Sequence, residues 1–292
     1  MPPDLKTVSV VLTSGSVRDP DGRKDVFLKT IQSFLKFNTH PIEKFIITED
    51  SPCAVSLDHI MALLTKNRLI EEVILIDDGK NRGQVYRIDQ GYSLVGSDFI
   101  FRCEEDWEFV KFGFIEASLG VLKDDSIFSV QLHGYKEYIS PTRGNQGWSV
   151  IDAPHLNYPN PVEPFMILNP TEYNTSPYKY PFFVADEQKF KKIFKPWNNT
   201  FMGFSFNPAL KRLKDYQAIQ SYANLIKKTD LQYFIDKHKG TAFNFLKPIG
   251  QEVEVVAGKY YSDKGFDFAV TKEKYINHIG VDRGVNAQPL HS

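Results

Sequence analysis

Phe99-Ile100-Phe101-Arg102-Cys103-Glu104-Glu105-Asp106 is the stretch on which the reading of this chain turns. An apolar strand, Phe99 to Cys103, runs without a turn residue into three adjacent carboxylates. In open parallel sheets ligands bind beyond the carboxyl ends of the strands, so these acids stand where chemistry is expected. On an extended chain Glu104 and Asp106 point the same way and Glu105 points elsewhere. Adjacent carboxylates repel one another and become favourable when a divalent cation gathers them. Glu104 and Asp106 suit one Mg²⁺ or Mn²⁺ that keeps open positions for diphosphate oxygens. The competing reading is a solvated acidic turn.

Upstream, apolar runs alternate with helical patterns, the signature of a parallel sheet wrapped by helices. Val8 to Leu12 is continuously apolar, as a strand buried on both faces should be. A polar stretch from Thr13 to Lys24 follows. Asp25 is then placed to cap a helix carrying Phe27, Ile31, Phe34 and Leu35 at helical spacing. Phe45 to Thr48 reads as a second strand ending in Glu49-Asp50-Ser51, and Leu57 to Arg68 as a helix capped by Ser56. Val73 to Ile76 reads as a third strand, and the loop Asp77 to Gly83 opens a helix that ends near Val95 before Gly96. Downstream, Phe114 to Leu122 is predicted helical and Ile127 to Leu132 a strand.

The texture changes at His133. Pro141, Pro154, Pro159, Pro161, Pro164, Pro170, Pro177 and Pro181 interrupt the next stretch, which holds six of the 14 tyrosines. Little regular structure survives that density of proline, and the aromatic richness favours an ordered, ligand-facing surface. Phe201 to Phe206 is predicted to be a strand, with Asn207 capping a helix that has Pro208 at its first position. Further helices are expected over Tyr216 to Lys227 and from Asp230 to Lys239, stopped by Gly240, and a strand over Thr241 to Leu246.

With 292 residues, the chain can bury about three quarters of its unfolded surface without staples. Its two cysteines, Cys53 and Cys103, provide neither a disulfide framework nor a four-cysteine zinc site, and free thiols fit a reducing compartment. A net charge of -1 argues against a nucleic-acid partner. No apolar run is long enough to span a membrane, and the first residues lack the build of a signal peptide, so a cytoplasmic location is expected. The sequons at Asn174 and Asn198 carry weight only in an exported chain. Aromatic residues make up 14%, and the tyrosines raise the question of what their hydroxyls meet.

The order of these features resembles the GT-A fold glycosyltransferases, particularly the family 2 type. Phe45-Ile46-Ile47-Thr48-Glu49-Asp50-Ser51 is similar to that family's strand ending in Asp-Asp-Gly-Ser, with Glu49 at the first Asp position. Asn81-Arg82-Gly83 and Asp89-Gln90-Gly91 are similar to its paired Asn-x-Gly elements. Gly96 to Asp106 is similar to its Gly-Asp-Tyr-Ile strand leading into Asp-x-Asp, with Glu104 for the first Asp. Ile276-Asn277-His278-Ile279-Gly280 resembles a late His-Ile-Gly element. The likeness spans residues 8 to 132 in order and thins beyond.

The resemblance implies an α/β chain of GT-A fold, a Rossmann-like, mostly parallel sheet flanked by helices, with an irregular acceptor-binding half. Residues 1–132 would form the donor half and 133–292 the acceptor half of one domain. It implies sugar transfer from a nucleoside diphosphate sugar, a UDP-sugar first, to a hydroxyl of a glycan or other acceptor, with inversion. Glu104, Asp106 and His278 would hold Mn²⁺ or Mg²⁺, with Glu105 beside them. Thr13, Glu49 and Asp50 would line the base and ribose, and Arg82 would contact phosphate. Asp230, opening its helix, would be the general base, with Asp152 and Glu187 as rivals. The tyrosines and Trp148 of the proline-rich stretch would face sugar rings. Other readings of these residues are a packing histidine, an Asp230 that only caps its helix and an exposed loop arginine. The competing functions are a sugar-phosphate nucleotidyltransferase, for which Ser14-Gly15-Ser16-Val17-Arg18 is a weak phosphate loop, and an inactive glycan-binding domain.

Overall fold

The computed structural model describes residues 6–15, 20–50, 57–132, 165–168, 204–227, 246–271 and 274–280. The first half follows the expected alternation: β1 (Val8–Ser14), α1 (Pro20–Phe37), β2 (Ile42–Glu49), α2 (Asp58–Thr65), β3 (Ile70–Ile76), α3 (Gln84–Tyr92), β4 (Phe99–Glu104), β5 (Trp107–Phe109), α4 (Phe114–Val121) and β6 (Ile127–Gln131). Then come β7 (Phe165–Leu168), β8 (Ala209–Arg212), α5 (Leu213–Gln217), α6 (Tyr222–Lys227), α7 (Leu246–Asp263), β9 (Asp267–Thr271) and β10 (Ile276–His278).

Among the described residues, eight strands form one sheet in the order β3-β2-β1-β4-β8-β6-β9-β7, and β10 pairs with β5 in a two-stranded ribbon. The pairs β3/β2, β2/β1, β1/β4 and β6/β9 are parallel, and β8 runs antiparallel to both β4 and β6. This is the Rossmann-like, mostly parallel sheet flanked by helices that the sequence predicts. Strands from before and after residue 132 interleave in it. Arg212 helps to seat β8 beside β6: its guanidinium donates to the carbonyls of Leu122, Asp124 and Asp125 in the turn before β6.

Helices cover both faces. Every residue of β1 is buried, and alternate residues serve opposite layers. Val8, Val10 and Leu12 join Phe27, Ile31 and Phe34 of α1, Leu64 of α2 and Ile115 of α4. Val11 joins Val85 and Ile88 of α3, Tyr222 of α6 and Val253 of α7. Much of the aromatic excess goes here. Phe34 lies 5.3 Å from Phe45, 5.3 Å from Phe109 and 5.8 Å from Phe114, while Tyr92, Tyr216 and Tyr222 gather in the other layer. The tyrosine hydroxyls find internal acceptors in part: Tyr216 donates to Asp89 Oδ1 at 2.8 Å and Tyr261 to the Asp215 carbonyl at 3.1 Å.

Several expected boundaries shift. α1 begins at Pro20, so Asp25 lies inside the helix rather than capping it; proline's fixed φ suits a first helical position. Pro208 does not start a helix. It leads into β8, and Phe204 to Phe206 is irregular where a strand was expected. The predicted helix from Tyr216 to Lys227 is two, α5 and α6, broken where Gln220 takes a φ of 67°. Leu246, the expected end of a strand, opens α7 instead. Within the proline-rich stretch β7 is regular structure between Pro164 and Pro170; the rest of that stretch with Trp148, the helix from Asp230, and Cys53, Asp152, Glu187 and both sequons lie outside the described residues. Cys103 is a buried free thiol.

Candidate functional site

The register brings the predicted residues to one end of the sheet. Ser14 pairs with Glu49, Thr13 with both Thr48 and Glu104, and Thr48 with Ile76, so the loops after β1, β2, β3 and β4 open at the same edge. Thr13, Glu49 and Asp50 are buried in it. Gly15 is fixed by proximity: a Cβ there would come within 2.9 Å of Asp50 Cβ, and its amide donates to Glu105 Oε1 at 3.1 Å.

Asp50 organises the start of α3. Its carboxylate accepts from the amide of Arg82 at 2.5 Å, from that of Gly83 at 2.9 Å and from Arg87 Nε at 3.2 Å. An anion at a helix N-terminus meets unpaired amides and the positive end of the helix dipole. Glu49 accepts from Ser14 Oγ at 2.9 Å. The Arg82 side chain reaches Asp78 Oδ2 at 2.6 Å and lies over the Tyr86 ring. Arg87 and Arg82 together hold the Asp78 carboxyl far below the usual carboxylate range.

The acidic triplet splits three ways. Glu104 Oε1 accepts from Arg102 Nη2 at 3.1 Å and from Gln84 Nε2, while Oε2 accepts from Trp107 Nε1 at 3.3 Å. Glu105 turns to Gly15; burial first, then the adjacent Asp106 charge, push its carboxyl well up from the ordinary value. Asp106 meets His278: Oδ2 lies 3.0 Å from Nε2, across 172 residues of sequence. Their meeting follows from the ribbon, in which His278 pairs with Trp107. The Trp107 and His278 rings lie 4.7 Å apart, tilted at 37°, and the Ile279 amide donates to the Asp106 carbonyl. Gly280 admits the Asp106 carboxylate, since a Cβ there would lie 2.3 Å from Oδ2. Asp106 Oδ1 is buried with no hydrogen-bond partner among the described residues.

Asp106 and His278 therefore come together, and Glu104 faces other partners. Among the described residues no three His, Cys, Asp or Glu side chains are grouped to hold a metal ion. A carboxylate and an imidazole, with a second carboxylate oxygen buried and unpaired, fit a divalent cation that leaves positions for ligand oxygens. Asp230 lies outside the described residues.

Sequence reading missed the supports. Thr30 of α1 accepts from the Trp107 amide at 3.1 Å and donates to the Glu105 carbonyl at 2.6 Å, and Ser33 Oγ accepts from the Phe109 amide. Both are polar residues on an otherwise apolar helix face, which is the signal that marks them. A second polar group, near enough for the Glu104 charge to act on it, joins α7 to the segment before β8. Glu254 of α7 accepts from the Phe206 amide at 2.6 Å, and Lys211 Nζ donates to the Ser205 carbonyl at 3.2 Å. Burial pushes Glu254 up to about 7. Burial, aided by the Arg102 charge, draws Lys211 down to about 7.

No protein-family model matches the chain, and no curated protein matches it. Among solved structures it is similar to the mannosyltransferase PcManGT from Pyrobaculum calidifontis in complex with GDP-Man and Mn²⁺, at 9% identity and a TM-score of 0.34, covering 44% of this chain and 36% of that one. It is also similar to S. aureus TarS 1-349, at 7% identity and a TM-score of 0.45, covering 92% of this chain and 59% of that one. No described helix is long and apolar enough to cross a membrane.

Proposed function

We propose that this chain transfers a sugar from a nucleoside diphosphate sugar, a UDP-sugar first, to an acceptor hydroxyl, with a divalent cation and with inversion at the anomeric carbon. The observation that carries this reading is the pairing of Asp106 with His278 at the carboxyl end of β4, with Asp106 Oδ1 buried and unpaired among the described residues. Asp106 and His278 would hold Mn²⁺ or Mg²⁺. When bound, the ion would neutralise charge that develops on the departing diphosphate.

The remaining roles belong to this chain's own groups. Thr13, Glu49 and Asp50 shape the mouth of the sheet where base and ribose would lie, Asp50 by setting the turn at Arg82 and Gly83. Arg82, on the rim, would meet phosphate. Glu105 accepts from the Gly15 amide just after β1. Asp230 would accept the acceptor's proton as its oxygen attacks the anomeric carbon, a general base opposite the leaving group. Direct attack with one base implies inversion, a step that rests on the family resemblance.

A panel of UDP- and GDP-sugars with Mn²⁺, read by thermal shift and by release of nucleoside diphosphate, tests the reading. Stabilisation by one nucleotide sugar that needs Mn²⁺, with slow hydrolysis, is expected. Stabilisation with no turnover in any acceptor mixture would favour a glycan-binding domain. A protein that no nucleotide stabilises would refute the proposal.

A further inference from the structure

Two carboxylates from the ends of β2 and β4, the strands on either side of β1, grip the same short turn. Asp50, after β2, binds the amides of Arg82 and Gly83. Glu104, at the end of β4, binds the side chain of the next residue, Gln84. On the far side Gln84 is walled by α7, where a Cβ at Gly250 would come within 2.7 Å of Gln84 Oε1. The turn that opens α3 is thus held from β2, β4 and α7 together.

Glu104 is also tied down from beneath. Arg102 precedes it by two residues on the same face of β4 and is fully buried. Its Nη2 donates to Glu104 Oε1 at 3.1 Å, and Glu104 is its carboxylate partner among the described residues. Its Nε and Nη1 find no hydrogen-bond partner there. A buried guanidinium depends on its counter-charge, so turning Glu104 toward a cation would leave Arg102 uncompensated. Trp107 Nε1 occupies the other carboxylate oxygen. Asp106, by contrast, keeps a buried oxygen without a protein donor among the described residues.

Building on the functional reading above, we infer that Glu104 is a positioning residue rather than a cation ligand. Through Gln84 and Arg102 it fixes the Arg82–Gly83–Gln84 turn against the sheet, presents that turn to the nucleotide, and leaves the cation to Asp106 and His278. The length of the side chain fits this role: glutamate reaches across to Gln84 at the start of α3, where an aspartate would fall short.

The test uses the full chain, with Mn²⁺ alone followed by electron paramagnetic resonance of the free ion, UDP titrated in the presence of Mn²⁺, and amide hydrogen exchange. Glu104→Gln keeps an oxygen acceptor and should bind Mn²⁺ within about threefold of wild type, whereas Asp106→Asn should weaken Mn²⁺ by about tenfold or more. Glu104→Ala should leave Mn²⁺ affinity within the same range, weaken UDP by about tenfold, and speed exchange at the Arg82, Gly83 and Arg87 amides. Gln84→Ala should reproduce the faster exchange without uncovering Arg102, which keeps the test decisive if Glu104→Ala fails to fold. A Mn²⁺ loss in Glu104→Gln as large as in Asp106→Asn would make Glu104 a ligand and overturn the inference. So would unchanged exchange in Gln84→Ala. Wild-type protein that binds neither Mn²⁺ nor UDP would refute the functional reading, and exchange in Gln84→Ala would still decide the latch.

Discussion

Replacing Asp89 with alanine removes the main polar tie between α3 and the helices that follow β8. The Asp89 carboxylate accepts from the Tyr216 hydroxyl at 2.8 Å and from the amides of Tyr222 and Ala223 at 2.9 and 2.8 Å, the last two at the start of α6. Alanine would strand three donors, each costing about 1–3 kcal/mol when left unpaired in a buried setting. Two considerations pull the figure down. Asp89 is half-buried, so water can reach part of the site, and burial raises the pKa of its carboxyl despite the three donors, so its desolvation offsets part of their worth. Taking the low end for each donor gives about 3 kcal/mol, a large share of a net stability of about 5–15 kcal/mol. Urea unfolding followed by far-UV circular dichroism measures the difference, with an unchanged slope showing that the unfolded state is not altered. A loss below about 0.5 kcal/mol would refute the argument that this carboxylate fastens α6 to α3.

Other outcomes follow from the same geometry. Gly91→Ala should gain about 1 kcal/mol of helix propensity, yet its Cβ would lie 2.5 Å from Val11 Cγ1 and 3.2 Å from Thr48 Cγ2; overpacking wins, and urea unfolding should show a net loss of about 1–2 kcal/mol. Gly280→Ala would push the Asp106 carboxylate off His278, and Mn²⁺ affinity by calorimetry should fall about tenfold. Glu254 has a folded pKa near 7 against an ordinary value of 4.5, so the fold binds its proton more tightly than the unfolded chain does. Its contribution to stability is present below pH 4.5 and is lost as pH rises to 7. Glu254→Gln keeps the acceptor for the Phe206 amide and should flatten the stability profile across that window; an unchanged slope would assign it to other groups.

The parallel half of the fold was legible because β1, β4 and most of β2 are buried on both faces and read as apolar runs, and β3, although at the sheet edge and partly exposed, keeps an apolar run from Val73 to Ile76. β8 was not, because its four residues include Lys211 and Arg212, whose polar look hides their burial within the sheet. α7 was masked by Pro248 and Gly250 near its start, and β5 and β10 are three residues each, too short for any periodicity to show. At the candidate site the positions of the acids could be read from where the strands end, and their partners could not. Gln84 for Glu104, Arg87 for Asp50 and His278 for Asp106 are long-range matches made by packing. Only the resemblance to a known family placed His278 beside Asp106, since spacing carries no information across so long a separation.

The most direct measurement is calorimetric titration of UDP into the wild-type protein and Asp106→Asn, each with and without Mn²⁺. In the proposed function Asp106 is the group on which cation and nucleotide binding would converge. Wild-type protein should bind UDP only when Mn²⁺ is present, and Asp106→Asn should lose that binding while unfolding at the wild-type urea midpoint. Equal UDP binding by the two proteins, or wild-type binding that ignores Mn²⁺, would contradict the account.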